Sequence, residues 1–273
     1  MRSLVLLLLL ASLAPAETLR VMTFNVRYPN PEDGANVWER RKDILVETVR
    51  LANPDLVGTQ DLFQMQGDYV VEKLPRYRWF GIDRRGGHDD EHMGIFYRPD
   101  RLELVASGQF WLSERPDEVG SMSWDVSLPR MASWARFRTR DGREFGFVNT
   151  HFAHRRQDAA ARLEMARVLR REAQRRLPAD LPLVVMGDFN SSAESDVHTE
   201  LTQAFEDAWV KAENPQGQAG TAHGFSGRPG EARIDWILFR GPWQVQQVRS
   251  LDFNDEGRYP SDHFPVLAVL ELE

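Results

Sequence analysis

Hydrophobic positions recur along the chain in two spacings. Short apolar runs of strand type lie at Thr18 to Val26, Leu56 to Thr59, Arg78 to Ile82, Gly94 to Tyr97, Leu102 to Ser107, Ala132 to Thr139 and Glu144 to Thr150. Further runs of the same type are Leu181 to Met186, Ile234 to Phe239, Val245 to Leu251 and Phe264 to Leu272. Helical spacing appears at Val37 to Leu51, where Val37, Ile44, Leu45 and Val49 share a face, and the helix stops before Asn53-Pro54. Asp158 to Leu177 is the longest predicted helix, with Leu163, Ala166, Leu169, Ala173 and Leu177 on one side. A third helix is predicted over Ala193 to Ala204. Asp141-Gly142 between two runs marks a hairpin. Strands outnumber helices and several adjacent pairs read as hairpins, so the pattern predicts a mixed-sheet α/β protein. The arginines at 170, 171, 175 and 176 read as a solvated helix face.

The first sixteen residues stand apart. One arginine precedes an apolar run from Leu4 to Leu10, then Ala14-Pro15-Ala16. That order predicts a cleaved secretory leader over 1–16, and the run is too short for the roughly 20 residues that span a bilayer. Residues 17–273 are then one domain, secreted or periplasmic, and expected to be a monomer. No later stretch is apolar enough to cross a membrane.

Composition changes the picture in two ways. The chain has no cysteine, which excludes thiolate catalysis and cysteine-ligated zinc. Its net charge is −7, and loss of Arg2 with the leader would make it −8. Proteins that hold nucleic acid through phosphate contacts usually carry a basic face, so a nucleic-acid partner is not favoured.

The candidate chemistry sits at strand ends. "VMTFNV" places Asn25 late in the first strand, "LVGTQD" places Gln60 and Asp61 after the second, and "FGFVNTH" ends in Asn149 and His151. "LVVMGDFN" ends in Asp188 and Asn190, "RIDWI" holds Asp235, and "YPSDHFPV" places Asp262 and His263 before the last strand. Each has an ordinary explanation, as a turn residue, a satisfied buried carboxylate or a packed histidine. Six strands doing the same thing argue for a shared crevice. Carboxylate and amide oxygens suit Mg²⁺ or Mn²⁺, and histidines beside them suit phosphoryl chemistry.

With these motifs in this order, from residue 23 to 266, the sequence resembles the endonuclease/exonuclease/phosphatase superfamily. "ASGQFWL" and "LPRMASWARF" resemble a secreted bacterial branch of it. The resemblance implies a four-layer sandwich, two mixed β-sheets packed face to face with helices outside. It implies a metal-dependent phosphoesterase using in-line attack of water. Asn25, Asp61 and Asp262 would hold Mg²⁺ or Mn²⁺. His263 would bind the scissile phosphate or activate water, oriented by Asp235. Asp188 would position the water, Asn190 a phosphate oxygen, and His151 would be a second phosphate-stabilising imidazole. Glu91 would partner His151, and Arg130 would meet the substrate. The family's usual glutamate is Asp61 here, one methylene shorter. A direct metal bond would need the Gly58 to Asp61 turn to move inward, or a water to bridge, and either favours Mn²⁺. The same constellation serves nucleases, lipid phosphodiesterases and small-molecule phosphatases. The preferred reading is a secreted hydrolase of a phosphodiester or phosphomonoester, with an extracellular nuclease and a catalytically weakened binding protein as alternatives.

Overall fold

The computed structural model describes residues 17–273, so the leader read over residues 1–16 lies outside them. Near the chain's two ends, β1 (Glu17–Asn25) and β12 (Val266–Leu272) pair antiparallel. On its other side β1 pairs in parallel with β2 (Leu56–Gln60). The remaining members of this sheet are β3 (Arg78–Phe80), β4 (Ile95–Tyr97) and β11 (Trp243–Ser250), in the order β11-β12-β1-β2-β4-β3. The second sheet contains β5 (Leu102–Trp111), β6 (Met131–Thr139), β7 (Glu144–His151), β8 (Leu183–Asp188), β9 (Glu206–Asp207) and β10 (Asp235–Arg240). Its order is β5-β6-β7-β8-β10-β9.

Each sheet has one parallel pair, β1–β2 in the first and β7–β8 in the second. A parallel pair needs a crossover, and both are helical. α1 (Trp38–Ala52) links β1 to β2, and α3 (Ala159–Arg176) links β7 to β8. Trp38, Leu45, Val49 and Ala52 bury one stripe of α1 against the outer face of the first sheet. Ala161, Met165, Leu169 and Ala173 of α3 do the same for the second. The sheets meet across Leu19, Val21, Leu56, Phe145, Phe147, Val184, Met186 and Ile237. The layers are therefore helix, sheet, sheet, helix, as the resemblance implied.

Strand alternation decides what reaches the middle. In β1, Leu19 and Val21 join the inter-sheet core while Met22 and Phe24 face α1. In β8, Val184 and Met186 point inward and Leu183 and Val185 outward. Continued by twos, the inward set reaches Asn25 in β1 and Asp188 in β8.

Three local expectations differ from the structure. α2 (Gln64–Lys73) was not expected, because it carries Gly67 in its interior, a poor helix former. A Cβ there would lie 2.6 Å from the Trp79 ring, so close packing on β3 demands glycine. The helix expected from Ala193 is α4 (Asp196–Thr202), capped by Ser195, whose Oγ accepts from the His198 amide at 3.3 Å. Of the α3 arginines, Arg171 and Arg175 are solvated as expected, with ion pairs along the face, and Arg176 departs from it. Arg170 bonds Glu200, Arg175 bonds Glu172 and Asp117, and Arg176 lies 4.8 Å over the Phe110 ring with 11% of its side chain exposed. Arg176 is thus a packing residue. A short α5 (Ala208–Lys211) follows β9. Among the described residues no helix is long and apolar enough to cross a membrane.

Candidate active site

The two parallel pairs aim their carboxyl ends at one edge of the sandwich. In register, Asn25 stands beside Gln60 and His151 beside Asp188. β10 runs antiparallel to β8, so its first residue, Asp235, also stands beside Asp188. The sheets are stapled beneath the edge. Gln60 Nε2 donates to Asn149 Oδ1 at 2.7 Å, and Asn149 Nδ2 donates to the carbonyls of Thr59 (2.8 Å) and Gly94 (3.0 Å). Gly58 is needed for this staple, since a Cβ would lie 2.7 Å from Asn149 Oδ1. That corrects the idea that Gly58 lets the turn move. It sits inside β2, fixed against the other sheet. The turn is made by Asp61 itself, which takes φ +57°, a left-handed conformation that aspartate tolerates better than most residues.

Asp188 is the hub. Its Oδ2 accepts from Asn25 Nδ2 at 3.1 Å and its Oδ1 from the Asn190 amide at 2.9 Å. His151 Nε2 lies 3.4 Å and His263 Nε2 3.9 Å from Oδ2. His263 Nδ1 is 2.9 Å from Asp235 Oδ2, which fixes Nδ1 as the donor and turns Nε2 to the cleft. His151 Nδ1 faces Asp61 Oδ1 at 3.3 Å. Asn190 (φ +48°) donates one amide N–H to the Phe152 carbonyl at 3.1 Å and keeps a second.

The two imidazoles differ in charge. Burial opposes the cationic form of His263, but the carboxylates of Asp235, Asp188 and Asp262 outweigh it and raise its pKa to about 10. Burial, and after it the Arg130 cation, push His151 down to about 3. His263 is therefore a cationic donor at neutral pH and His151 a neutral ring. This narrows the pair of roles implied for His263, because an imidazole already protonated does not accept a proton from water. Burial and the charge of Asp235 raise Asp188. Burial, then the Asp61 charge, push Glu91 up to about 7.

Two groups of acidic and imidazole donors converge here. Asp61, Glu91 and His151 offer ligand atoms within 4.8 Å of one another, and so do Asp188, Asp235 and His263. The first group fits a divalent cation. Burial, and after it the charge of Asp61, raises Glu91, and a positive ion would favour its charged form. The second does not fit, because His263 is held cationic and its Nδ1 is committed to Asp235. Asp61 and Glu91 would hold the ion, with the Asn25 carbonyl beside them, and it would polarise a phosphoryl oxygen. Asn25 Oδ1 accepts one amide, from Arg27 at 3.0 Å, which leaves a lone pair. Asp262 stands apart from the first group. Its Oδ2 is 3.7 Å from Arg27 Nη1 and its Oδ1 accepts from Ser261 Oγ at 3.2 Å. Glu91 is ion-paired with Arg84 and makes no hydrogen bond to His151.

All the expected residues except Asp235, which lies behind His263, line one cleft of about 520 Å³. Arg130 is 4% exposed. Its Nη2 meets His154 Nδ1 at 3.0 Å, and its Nη1 is buried with no partner among the described residues. A buried N–H of this kind calls for an acceptor. Arg27, Tyr28, Phe63, Arg84, Asp90 and His154 also line the cleft and were not expected. Arg27 and Tyr28 lie two and three residues past Asn25, and His154 is three residues past His151, so proximity to a strand end was the available signal.

Comparison with known proteins agrees with this geometry. A solved endonuclease/exonuclease/phosphatase family protein from Bacteroides thetaiotaomicron is 32% identical, with a TM-score of 0.89 over 95% of this chain and 100% of that one. A mannosyl-6-phosphatase from the same organism is 34% identical, with a TM-score of 0.85 over 92% of this chain and 99% of that one. Nocturnin of Drosophila melanogaster is 26% identical over 292 residues, taking in 89% of this chain, which spans 43% of that protein's length. The model of the Endonuclease/Exonuclease/phosphatase family matches residues 22–263, and the chain belongs to that family of divalent-metal-dependent phosphoester hydrolases.

Proposed function

We propose that the chain is an exported phosphatase that removes a terminal phosphate from a small molecule, using Mg²⁺ or Mn²⁺. The observation that carries this is the unpartnered Nη1 of Arg130, buried in the same cleft as the cationic His263 and the Asp61–Glu91 pair. Those groups form an anion site beside a cation site, which a phosphoryl group satisfies together. Asp188, whose basicity burial raises, orients the attacking water and takes up its proton. His263 and Arg130 stabilise the charge that grows on the phosphoryl oxygens, and the second Asn190 N–H holds one of them. His151, neutral between Asp61 and Asp188, keeps both carboxylates in place. The mannosyl-6-phosphatase at 34% identity supports a monoester on a sugar. The net charge of −7 opposes a long polyanion. Export rests on the leader read over residues 1–16.

The test is a panel of phosphoesters with Mg²⁺ or Mn²⁺: hexose phosphates, inositol phosphates, sphingomyelin, a bis-aryl phosphodiester, RNA and plasmid DNA. Hexose phosphate turnover that disappears in EDTA is expected, and His263→Ala and His151→Ala should each cost at least about a hundredfold. Nicking of plasmid DNA with no turnover of small phosphoesters would overturn the reading.

A further inference from the structure

The cleft contains aromatic surface that the catalytic groups do not use. Tyr28 and Phe63 are both half-buried and line it, with ring centroids 6.5 Å apart. Neither joins a hydrophobic core cluster of the described residues, so packing does not account for them. The Arg27 guanidinium lies 4.5 Å over the Tyr28 ring and holds it in place. Phe63 is also the wall shared with an adjoining groove of about 350 Å³, lined further by Gln64, Met65, Asp68, His88 and Asp89. Met65 is 47% exposed there.

We propose that Phe63 and this groove are the subsite for the leaving group, and that the leaving group is a neutral, polyhydroxylated ring such as a pyranose. The proposal rests on the phosphatase reading above. A phosphate held by Arg130 and His263 directs its ester group along the cleft that Phe63 walls. The electron-rich face of an aromatic ring suits the C–H face of a sugar. Beside the apolar Met65, the groove's other side chains are the amide, imidazole and carboxylates that suit hydroxyl groups. Charge decides against the alternatives. The groove lining carries two carboxylates and no arginine or lysine, so a second phosphate placed there is repelled. A polynucleotide or bisphosphorylated substrate would put one there.

The test compares wild type with Phe63→Ala, Phe63→Leu and the double variant Asp68→Lys/Asp89→Lys. Ethyl phosphate, a hexose 6-phosphate and a hexose 1,6-bisphosphate are assayed with saturating Mg²⁺. Wild type should prefer the hexose 6-phosphate to ethyl phosphate. Phe63→Ala should cut that preference by roughly five- to tenfold, chiefly through KM, the scale of a lost aromatic contact. Phe63→Leu keeps apolar bulk without the ring face and guards against misfolding; it should show a smaller loss of the same kind. The lysine pair should raise the bisphosphate-to-monophosphate ratio by about tenfold. Turnover of ethyl phosphate with the hexose preference unchanged in all variants overturns the subsite and leaves the phosphatase reading standing. If neither monoester turns over, the phosphatase reading fails, and calorimetric titration of hexose 6-phosphate decides the subsite. Weaker binding to Phe63→Ala than to wild type supports it, and equal or absent binding overturns it.

Discussion

Arg41 sits in α1, is fully buried, and makes no bond to a carboxylate. Its donors go to five carbonyl oxygens: Nε to Asn36 (3.0 Å), Nη1 to Val26 (2.7 Å) and Pro260 (2.9 Å), Nη2 to Arg27 (2.7 Å) and Tyr28 (3.3 Å). Three of those carbonyls immediately follow Asn25, and Pro260 lies two residues before Asp262. One side chain thus ties together the two loops that carry cleft residues from β1 and from the approach to β12. Burial lowers its pKa to about 10, from 12.5. That is roughly 3 kcal/mol against the charged form. Hydrogen bonds from a charged donor, at about 1.5–3 kcal/mol each, more than offset it. Arg41→Met removes the charge and the bonds together. The carbonyls of Arg27, Tyr28 and Asn36 are near enough to the surface to reach water, but those of Val26 and Pro260 are stranded at about 1–3 kcal/mol each. A net loss of about 3–5 kcal/mol is expected. For a domain of this size that lowers Tm by roughly 10 °C. Loosened loops should also raise the metal concentration needed for half-maximal activity, because Asn25 no longer holds position beside Asp61 and Glu91. Arg41→Lys offers three donors in place of five and should fall between. Thermal melts and Mg²⁺ titrations of the three proteins check this. A methionine variant as stable as wild type refutes the hydrogen-bond argument. One that is destabilised yet saturates at the wild-type metal concentration refutes the positioning role.

Two further outcomes are expected. Asp61→Ala should raise the Mg²⁺ concentration for half-maximal activity by at least about tenfold, with Asp61→Glu restoring most of it and leaving substrate choice unchanged; an alanine variant with the wild-type requirement would remove Asp61 from the ligands. Asp207, buried in β9 between His198 (2.8 Å) and Arg233 (2.7 Å), gives the acid limb of stability. Burial raises its pKa, but the His198 hydrogen bond and the Arg233 charge outweigh this and hold it below the usual value. A depressed carboxyl stabilises the fold above its unfolded pKa and loses that contribution as pH falls, here below about pH 4. Asp207→Asn should cost about 3–5 kcal/mol at pH 7 and flatten the acid limb in urea unfolding, without altering turnover per folded molecule. An unchanged acid limb would deny Asp207 that role.

Most strands were legible because each couples an apolar run to a turn signal. The inward-facing polar residues were legible for a related reason. Asn25, His151, Asp188 and Asp235 continue the alternation that buries Val21, Phe147, Met186 and Ile237, so a polar type at such a position stands out against its neighbours. Loop residues have no such background. Arg84 and Asp90 enter the cleft through tertiary placement, and nothing in their spacing distinguishes them from surface charge. α2 escaped because Gly67 answers to Trp79, a partner twelve residues on. Glu91 was legible as a site residue, but its neighbour was not. In space it shares its surroundings with Asp61 and is ion-paired with Arg84, a consequence of the loop between β3 and β4 folding over the edge.

That loop also bears on the substitution at position 61. A shorter carboxylate at a metal site loses reach. Glu91, on a neighbouring loop, brings a second carboxylate with atoms within 4.8 Å of Asp61 and His151. Asp83 fixes the loop by accepting from the amides of Arg85 (2.7 Å), Gly87 (3.0 Å), Asp89 (2.8 Å) and Asp90 (3.0 Å). Two carboxylates that crowd one another without an ion are poorly placed for stability and well placed to gain from a cation. Burial, and after it the charge of Asp61, pushes Glu91 up to about 7. The same loop carries Asp89 into the groove beyond Phe63. On the proposed reading, one hydrogen-bonded turn would supply both the carboxylate that compensates for Asp61 and the charge that repels a second phosphate, which would couple metal binding to substrate choice through a single element.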